Sequence, residues 1–218
     1  TERHPMQELA ARLAGLGLEQ GRIGVEMDNY WFSAKAYAAL TSGLPDASFS
    51  DATALVNWQR AVKSETELDY MRVAGRFVEK MHKRIFEVVE PGLPKSSLVA
   101  EIYDAGLRYD NQIGAGGDYP ALVPLLPSGA DAAAPHLTWD GRPFETGHAT
   151  FFEVSGCYRR YHAPFCRTIF LGTPPDFLLR AEEALIEGLE AGLDAARPGN
   201  RACDIANALA EPLERAGI

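Results

Sequence analysis

Glu153 stands in the run ATFFEVSG, between Phe152 and Val154 and close to Phe151. A carboxylate in such company, once buried, costs several kcal/mol unless a cation, a metal or strong donors meet it. Two of the five histidines, His136 and His162, are the ones expected to share a pocket with it, in the stretch that runs from Gly116 to Gly172. His136 closes the loop PSGADAAAPH, whose small residues let backbone come close to a ligand, and His162 stands in YHAPFCRT. A carboxylate and imidazoles around one pocket make a set for general acid–base chemistry, because imidazole titrates near neutrality. Tyr119, in GGDYPALV, adds a phenol that serves either as a contact or as core. Structural readings stand beside these. Glu153 can pair with Arg159, Arg160 or Arg167, or be exposed with Ser155 on one strand face, and His136 can be a satisfied loop group.

The segment from Ala149 to Leu171 reads as the hairpin that carries Glu153 and His162. With its tip at Tyr158–Arg159, Glu153 faces Pro164, Ser155 faces His162, and His162, Pro164 and Cys166 share the face of Glu153. Glu153 and His162 would then line one wall side by side. With the tip at Gly156–Cys157 instead, Glu153 faces Arg160 and the ion pair is favoured. Ahead of the hairpin, Leu122–Leu126 is short, apolar and bounded by prolines, which fits an edge or bulged strand.

The longest helix signal opens at Ser64 with the capping box S-E-T-E, in which Glu67 is the reciprocal partner. Leu68, Met71, Ala74, Val78, Met81, Ile85 and Val88 mark its apolar face, and Pro91-Gly92 stops it. His82 falls on the charged side, where a solvated surface histidine is expected. A second helix follows from Ser97 to Leu107. Beyond Gly172, Thr173-Pro174-Pro175 opens a helix whose Gly188 and Gly192 suggest close packing, and Asp204 is placed to cap a last helix that closes at Gly217. On the amino-terminal side, a helix over Pro5–Leu16, a strand over Arg22–Met27, a helix capped by Ser33 over Ala34–Leu40 and a strand around Ser48–Leu55 read as the end of an α/β module. A domain boundary before Ser64 divides the chain into 1–62 and 63–218.

Composition bounds the chemistry. With 218 residues, 46% of them hydrophobic and 23% charged, the chain has an ordinary globular make-up and enough length to bury a core. A formal charge of −9 argues against a nucleic-acid binder that works through phosphate contacts. Cys157, Cys166 and Cys203 lack metal-type spacing and are odd in number, so neither a zinc knuckle nor a disulfide framework is indicated and a reducing cytoplasm is the expected home. No apolar run approaches membrane-spanning length, so no membrane partner is expected.

From Ser64 onward the chain resembles the catalytic domain of the creatinase/aminopeptidase P/methionine aminopeptidase superfamily, through the two long helices, the SG…APH loop ending in His136, the strand FFEVSG and the strand YHAPFCRT. That resemblance implies an α/β (α+β) chain with the pita-bread fold. The first sixty or so residues resemble the end of a creatinase-type N-terminal domain, and the chain stops where the fold it resembles continues. Within the superfamily the ectoine hydrolases are the group resembled, through DNYWFSAKAY, LVNWQRAVKS, GGDYPALVPLLPSGADAAAPHLTWD and CYRRYHAPFCRT. The substrate so implied is a small cationic cyclic amidine, and the assembly implied is a homodimer.

Metal-dependent members of the superfamily resemble one another in two Asp residues on this hairpin, and the matching positions here hold Glu153 and Pro164. Proline offers no side-chain donor, and losing a bridging carboxylate removes ligands from both ions of a two-metal site. No catalytic metal or other cofactor is therefore expected. On the same resemblance Glu153 would hold the amidinium, His136 would act as base and then acid, and His162 and Tyr119 would contact the substrate. The alternatives are a metallopeptidase acting at an amino-terminal or Xaa-Pro bond, and an inactive ligand-binding module of the same fold.

Overall fold

The computed structural model describes residues 3–218. It separates into two compact units that divide after Thr66. The first unit contains α1 (Pro5–Gly15), β1 (Arg22–Val25), α2 (Ala34–Gly43), β2 (Ser48–Asp51) and α3 (Leu55–Ala61). His4 opens α1: its Nδ1 accepts the Met6 amide at 3.2 Å, while Gln7 accepts the His4 amide at 3.1 Å. Ser33 caps α2, its hydroxyl accepting the Ala36 amide at 3.2 Å. β1 and β2 are parallel, with Arg22 beside Ser48, and Ala10, Val25, Leu40 and Leu44 form the core between helices and strands. The strand expected through Leu55 stops at Asp51 and is followed by α3. The Asp51 carboxylate accepts the Thr53 amide at 2.8 Å, an Asx turn that offers the backbone an alternative to the ladder.

The second unit takes in α4 (Glu65–Val88) from Glu67 onward, α5 (Lys95–Leu107), a 3-10 turn (Gly129–Ala133), β3 (Ala149–Tyr158), β4 (Tyr161–Phe170), α6 (Asp176–Ala195) and α7 (Ala202–Arg215). Val78, Met81, Ile85, Leu98, Ile102, Leu126, Phe144, Phe152 and Val154 make one core in which α4 and α5 pack on a single face of the hairpin. Each such side chain contributes about 1.5–3 kcal/mol by leaving water. Gly156 brings backbone against backbone there: a Cβ on it would lie 2.1 Å from the Ala74 carbonyl oxygen in α4. On α6, Gly188 permits the same closeness to α7, since a Cβ would lie 2.5 Å from the Leu209 carbonyl oxygen.

Four further expectations need correction. His82 is not solvated but buried, because the side of α4 it occupies lies beneath β4. Helix α5 begins two residues before Ser97, at Lys95, whose ammonium is buried and paired with Asp140 at 3.0 Å. Asp204 is the third residue of α7 rather than its cap, and accepts the amide of Arg201, which is the cap, at 2.9 Å. Leu122–Leu126 is not a continuous strand: only Leu125 and Ser128 bridge to β3, opposite Glu153 and Thr150. Pro124 removes a ladder donor within that segment, and Pro120 and Pro127 remove one on each side of it.

Candidate active site

The hairpin turn lies one residue later than Tyr158–Arg159. Arg159 and Arg160 occupy it, with φ of 51° and 67°, the pair of left-handed residues that a two-residue type I′ connection requires. Tyr158 and Tyr161 close the ladder behind them, each ring packed on Tyr70 with centroids 5.8 and 5.6 Å apart. The pairing therefore slides by one step along each strand. Glu153 faces Cys166, Ser155 faces Pro164, and Cys157 faces His162. His162, Pro164 and Cys166 still share the face of Glu153, but His162 is four residues along the ladder, about 13 Å at a strand's rise, and is not its immediate neighbour.

Glu153 is half-buried, with its backbone joined to Leu125 by two hydrogen bonds of 3.0 Å. Its carboxylate makes no hydrogen bond or ion pair with protein among the described residues. The arginines that could have claimed it are engaged elsewhere. Arg160 donates to the Tyr119 carbonyl and stacks 4.3 Å from the Tyr119 ring, Arg167 lies 3.8 Å over Phe165, and Arg159 lies 5.8 Å from the Tyr158 ring. Across the hairpin, burial pushes the Cys166 thiol up to about 11; the nearby charge of Glu153 adds to the rise and Arg167 opposes it. Sequence alone did not single out this residue, although placing the turn between Tyr158 and Tyr161 would have put it opposite Glu153.

His162 is partly buried, and its Nε2 accepts the Ala121 amide at 2.9 Å. An accepting Nε2 leaves the proton of the neutral ring on Nδ1. Tyr119 is 70% exposed, so it is not core. The Arg160 contacts, the Ala121–His162 bond and the Asp118 amide bonded to the Cys157 carbonyl at 2.8 Å moor residues 118–121 along the hairpin near its tip. His136 lies in the turn after Gly129–Ala133, exposed and with φ of 66°. Its imidazole forms no hydrogen bond among the described residues. The structure thus brings Tyr119 and His162 to one end of the wall and Glu153 to its middle, while His136 stands on the adjoining loop.

Residues 69–218 match the sequence profile of metallopeptidase family M24, and residues 1–62 match that of the creatinase/prolidase N-terminal domain. The chain belongs to metallopeptidase family M24. Among its M24 relatives, the ectoine hydrolase of Halomonas elongata is 57% identical over 99% of this chain and 55% of its own length. An uncharacterized hydrolase/peptidase of Sinorhizobium fredii is 39% identical over 91% of this chain and 50% of its own. The chain spans about half the length of the curated relatives it matches. Among solved structures, a dipeptidase from Pyrococcus horikoshii superposes with a TM-score of 0.81 at 24% identity, covering 98% of this chain and 57% of that one. An X-Pro aminopeptidase from Thermotoga maritima gives 0.82 at 20% identity, covering 97% and 57%. The fold is accordingly the pita-bread arrangement of prolidases and aminopeptidase P.

The family name implies a metal, and the donors of this hairpin do not fit one. Pro164 and Ser155 face each other where a second carboxylate would have to stand, and Glu153 is opposite a thiol held in its protonated form. Among the described residues no three His, Cys, Asp or Glu side chains converge to hold an ion. In the described residues, no helix is long and apolar enough to cross a membrane.

Proposed function

We propose that the full-length protein is a hydrolase that opens ectoine, a cyclic amidine, to N-acetyl-diaminobutyrate without a catalytic metal. The observation that carries this reading is the 57% identity to the Halomonas elongata ectoine hydrolase over 99% of the chain, which includes the whole hairpin. Pro164 in place of a carboxylate supports the metal-free part of the reading.

The chemistry draws on the wall and on the adjoining loop. Protonated ectoine carries its charge on the amidinium, and Glu153, which meets no cation among the described residues, offers a carboxylate to it. A water adds to the amidinium carbon while His136 takes its proton; the new C–O bond makes a tetrahedral centre. His136 then returns the proton to a ring nitrogen, that C–N bond breaks as the C=O forms, the hydroxyl proton passes to the released amine, and an amide and an ammonium remain. His136 has neither ring nitrogen committed to protein among the described residues, which leaves it free for this shuttle. His162, its Nε2 occupied by the Ala121 amide, offers Nδ1–H as a donor, and Tyr119 offers an exposed phenol at the same end. A homodimer is the assembly proposed, from the superfamily resemblance.

Product analysis on the full-length protein after exhaustive chelation tests both parts. Turnover of ectoine unchanged within about twofold supports the reading. Loss of turnover restored by manganese, cobalt or zinc would instead establish a metal-dependent hydrolase. Unaltered ectoine at all conditions would remove the assignment altogether.

A further inference from the structure

The proposed chemistry makes no use of His82, although it is only 5% exposed. Its Nε2 lies 3.1 Å from the carbonyl oxygen of Phe165 in β4. A carbonyl can only accept, so Nε2 carries the proton and the neutral ring keeps its lone pair on Nδ1. Among the described residues that Nδ1 is buried without a partner, a cost an apolar side chain in the same place would not carry. The ring stands edge-on to Phe165, with centroids 5.3 Å apart, and Arg167 covers the Phe165 ring at 3.8 Å. Phe165 lies between Pro164 and Cys166, the residues that face Ser155 and Glu153.

We propose that His82 is a positioning residue. As a neutral donor to the Phe165 carbonyl it pins the middle of β4 to α4, holding Pro164 and Cys166 in place on the far face of the hairpin, and a second proton on the ring releases that pin. The proposal rests on the reading of Glu153 as part of the site wall. A proton on Nδ1 would create a buried donor with no acceptor. The charged group that faces the ring from β4 is Arg167, of the same sign, and on α4 the neighbouring Glu79 and Lys83 are exposed and form no ion pair with His82. Burial first, and Arg167 with it, holds the imidazole below the ordinary histidine value, while the Phe165 carbonyl opposes them. Between that lowered value and the ordinary one, the unfolded chain binds more protons. The pin's stability is therefore whole above the ordinary histidine value and is lost as pH falls through the lowered one.

Hydrogen exchange of residues 161–170 in the full-length protein, corrected for intrinsic rate and referred to α6–α7, tests this without any turnover measurement. Protection in the wild type is expected to fall about tenfold between about pH 7.5 and about pH 4.5. His82→Gln keeps an amide donor near the Nε2 position but does not titrate, so its protection should hold within about twofold. His82→Leu should lack the protection at both pH values. The same pH dependence in wild type and His82→Gln would overturn the proposal. If His82→Gln does not fold, the wild-type ring nitrogen shifts decide: an Nε2–H tautomer near neutrality supports the pin, and an Nδ1–H tautomer or an imidazolium overturns it. Failure here leaves ectoine turnover to be judged on its own assay. If the wild type does turn ectoine over, His82→Gln should shift the acid limb of kcat while KM near neutrality stays unchanged.

Discussion

Glu153 and Cys166 face each other across the hairpin, a carboxylate that meets no cation among the described residues opposite a thiol held in its protonated form. Because the charge of Glu153 contributes to raising the thiol, the two residues report on each other. At about pH 8, Cys203, which is exposed, should react first with iodoacetamide and Cys166 far more slowly. Glu153→Gln should speed modification of Cys166 by a few-fold, measured by peptide mass spectrometry. An unchanged rate would mean that the thiol does not sense the carboxylate.

The same substitution separates binding from stability. Glu153 gives up no partner among the described residues when its charge is removed, so thermal unfolding of Glu153→Gln should move by no more than about 0.5 kcal/mol. Affinity for ectoine, read by calorimetry on the full-length protein, should fall about tenfold or more. A large loss of stability would return Glu153 to a structural role.

His136→Ala should reduce turnover by about 100-fold or more, the usual worth of a positioned proton shuttle. Its circular dichroism should match the wild type, because the imidazole is exposed and forms no hydrogen bond among the described residues. Near-normal turnover would sink the assignment.

Two glycines make opposite stability predictions. Gly75 lies within α4, and a Cβ added to it would meet nothing within 4 Å, so Gly75→Ala should stabilise by about 0.5–1 kcal/mol. Gly156→Ala would drive a methyl to 2.1 Å from the Ala74 carbonyl oxygen and 2.7 Å from the Val78 nitrogen, and overpacking of this kind costs about 1–3 kcal/mol or more. Denaturant midpoints of the two variants read both.

The face of the hairpin was legible because strand alternation depends only on parity, and the tip expected at Tyr158–Arg159 and the observed one at Arg159–Arg160 have the same parity. The partner of Glu153 was not, since nothing local prefers Arg-Arg in a left-handed turn over its neighbours. His82 was misread for a related reason: helical periodicity places it off the apolar stripe, and only a strand arriving 83 positions later buries it. The long helices and their apolar faces were plain from spacing, whereas Pro124 within Leu122–Leu126, with Pro120 and Pro127 on either side, left its pairing to be decided by contacts with β3.

Arg159 and Arg160 each hold a left-handed backbone at a cost of about 1–2 kcal/mol, so the turn does nothing to start the hairpin. What secures it is remote: Tyr70 of α4 against Tyr158 and Tyr161, and the seat Gly156 finds on Ala74. On that basis α4 is expected to form before the hairpin zips onto it. Installing Asn-Gly at the tip would let the strands close locally within microseconds and, in stopped-flow refolding, speed the phase in which β3 and β4 join.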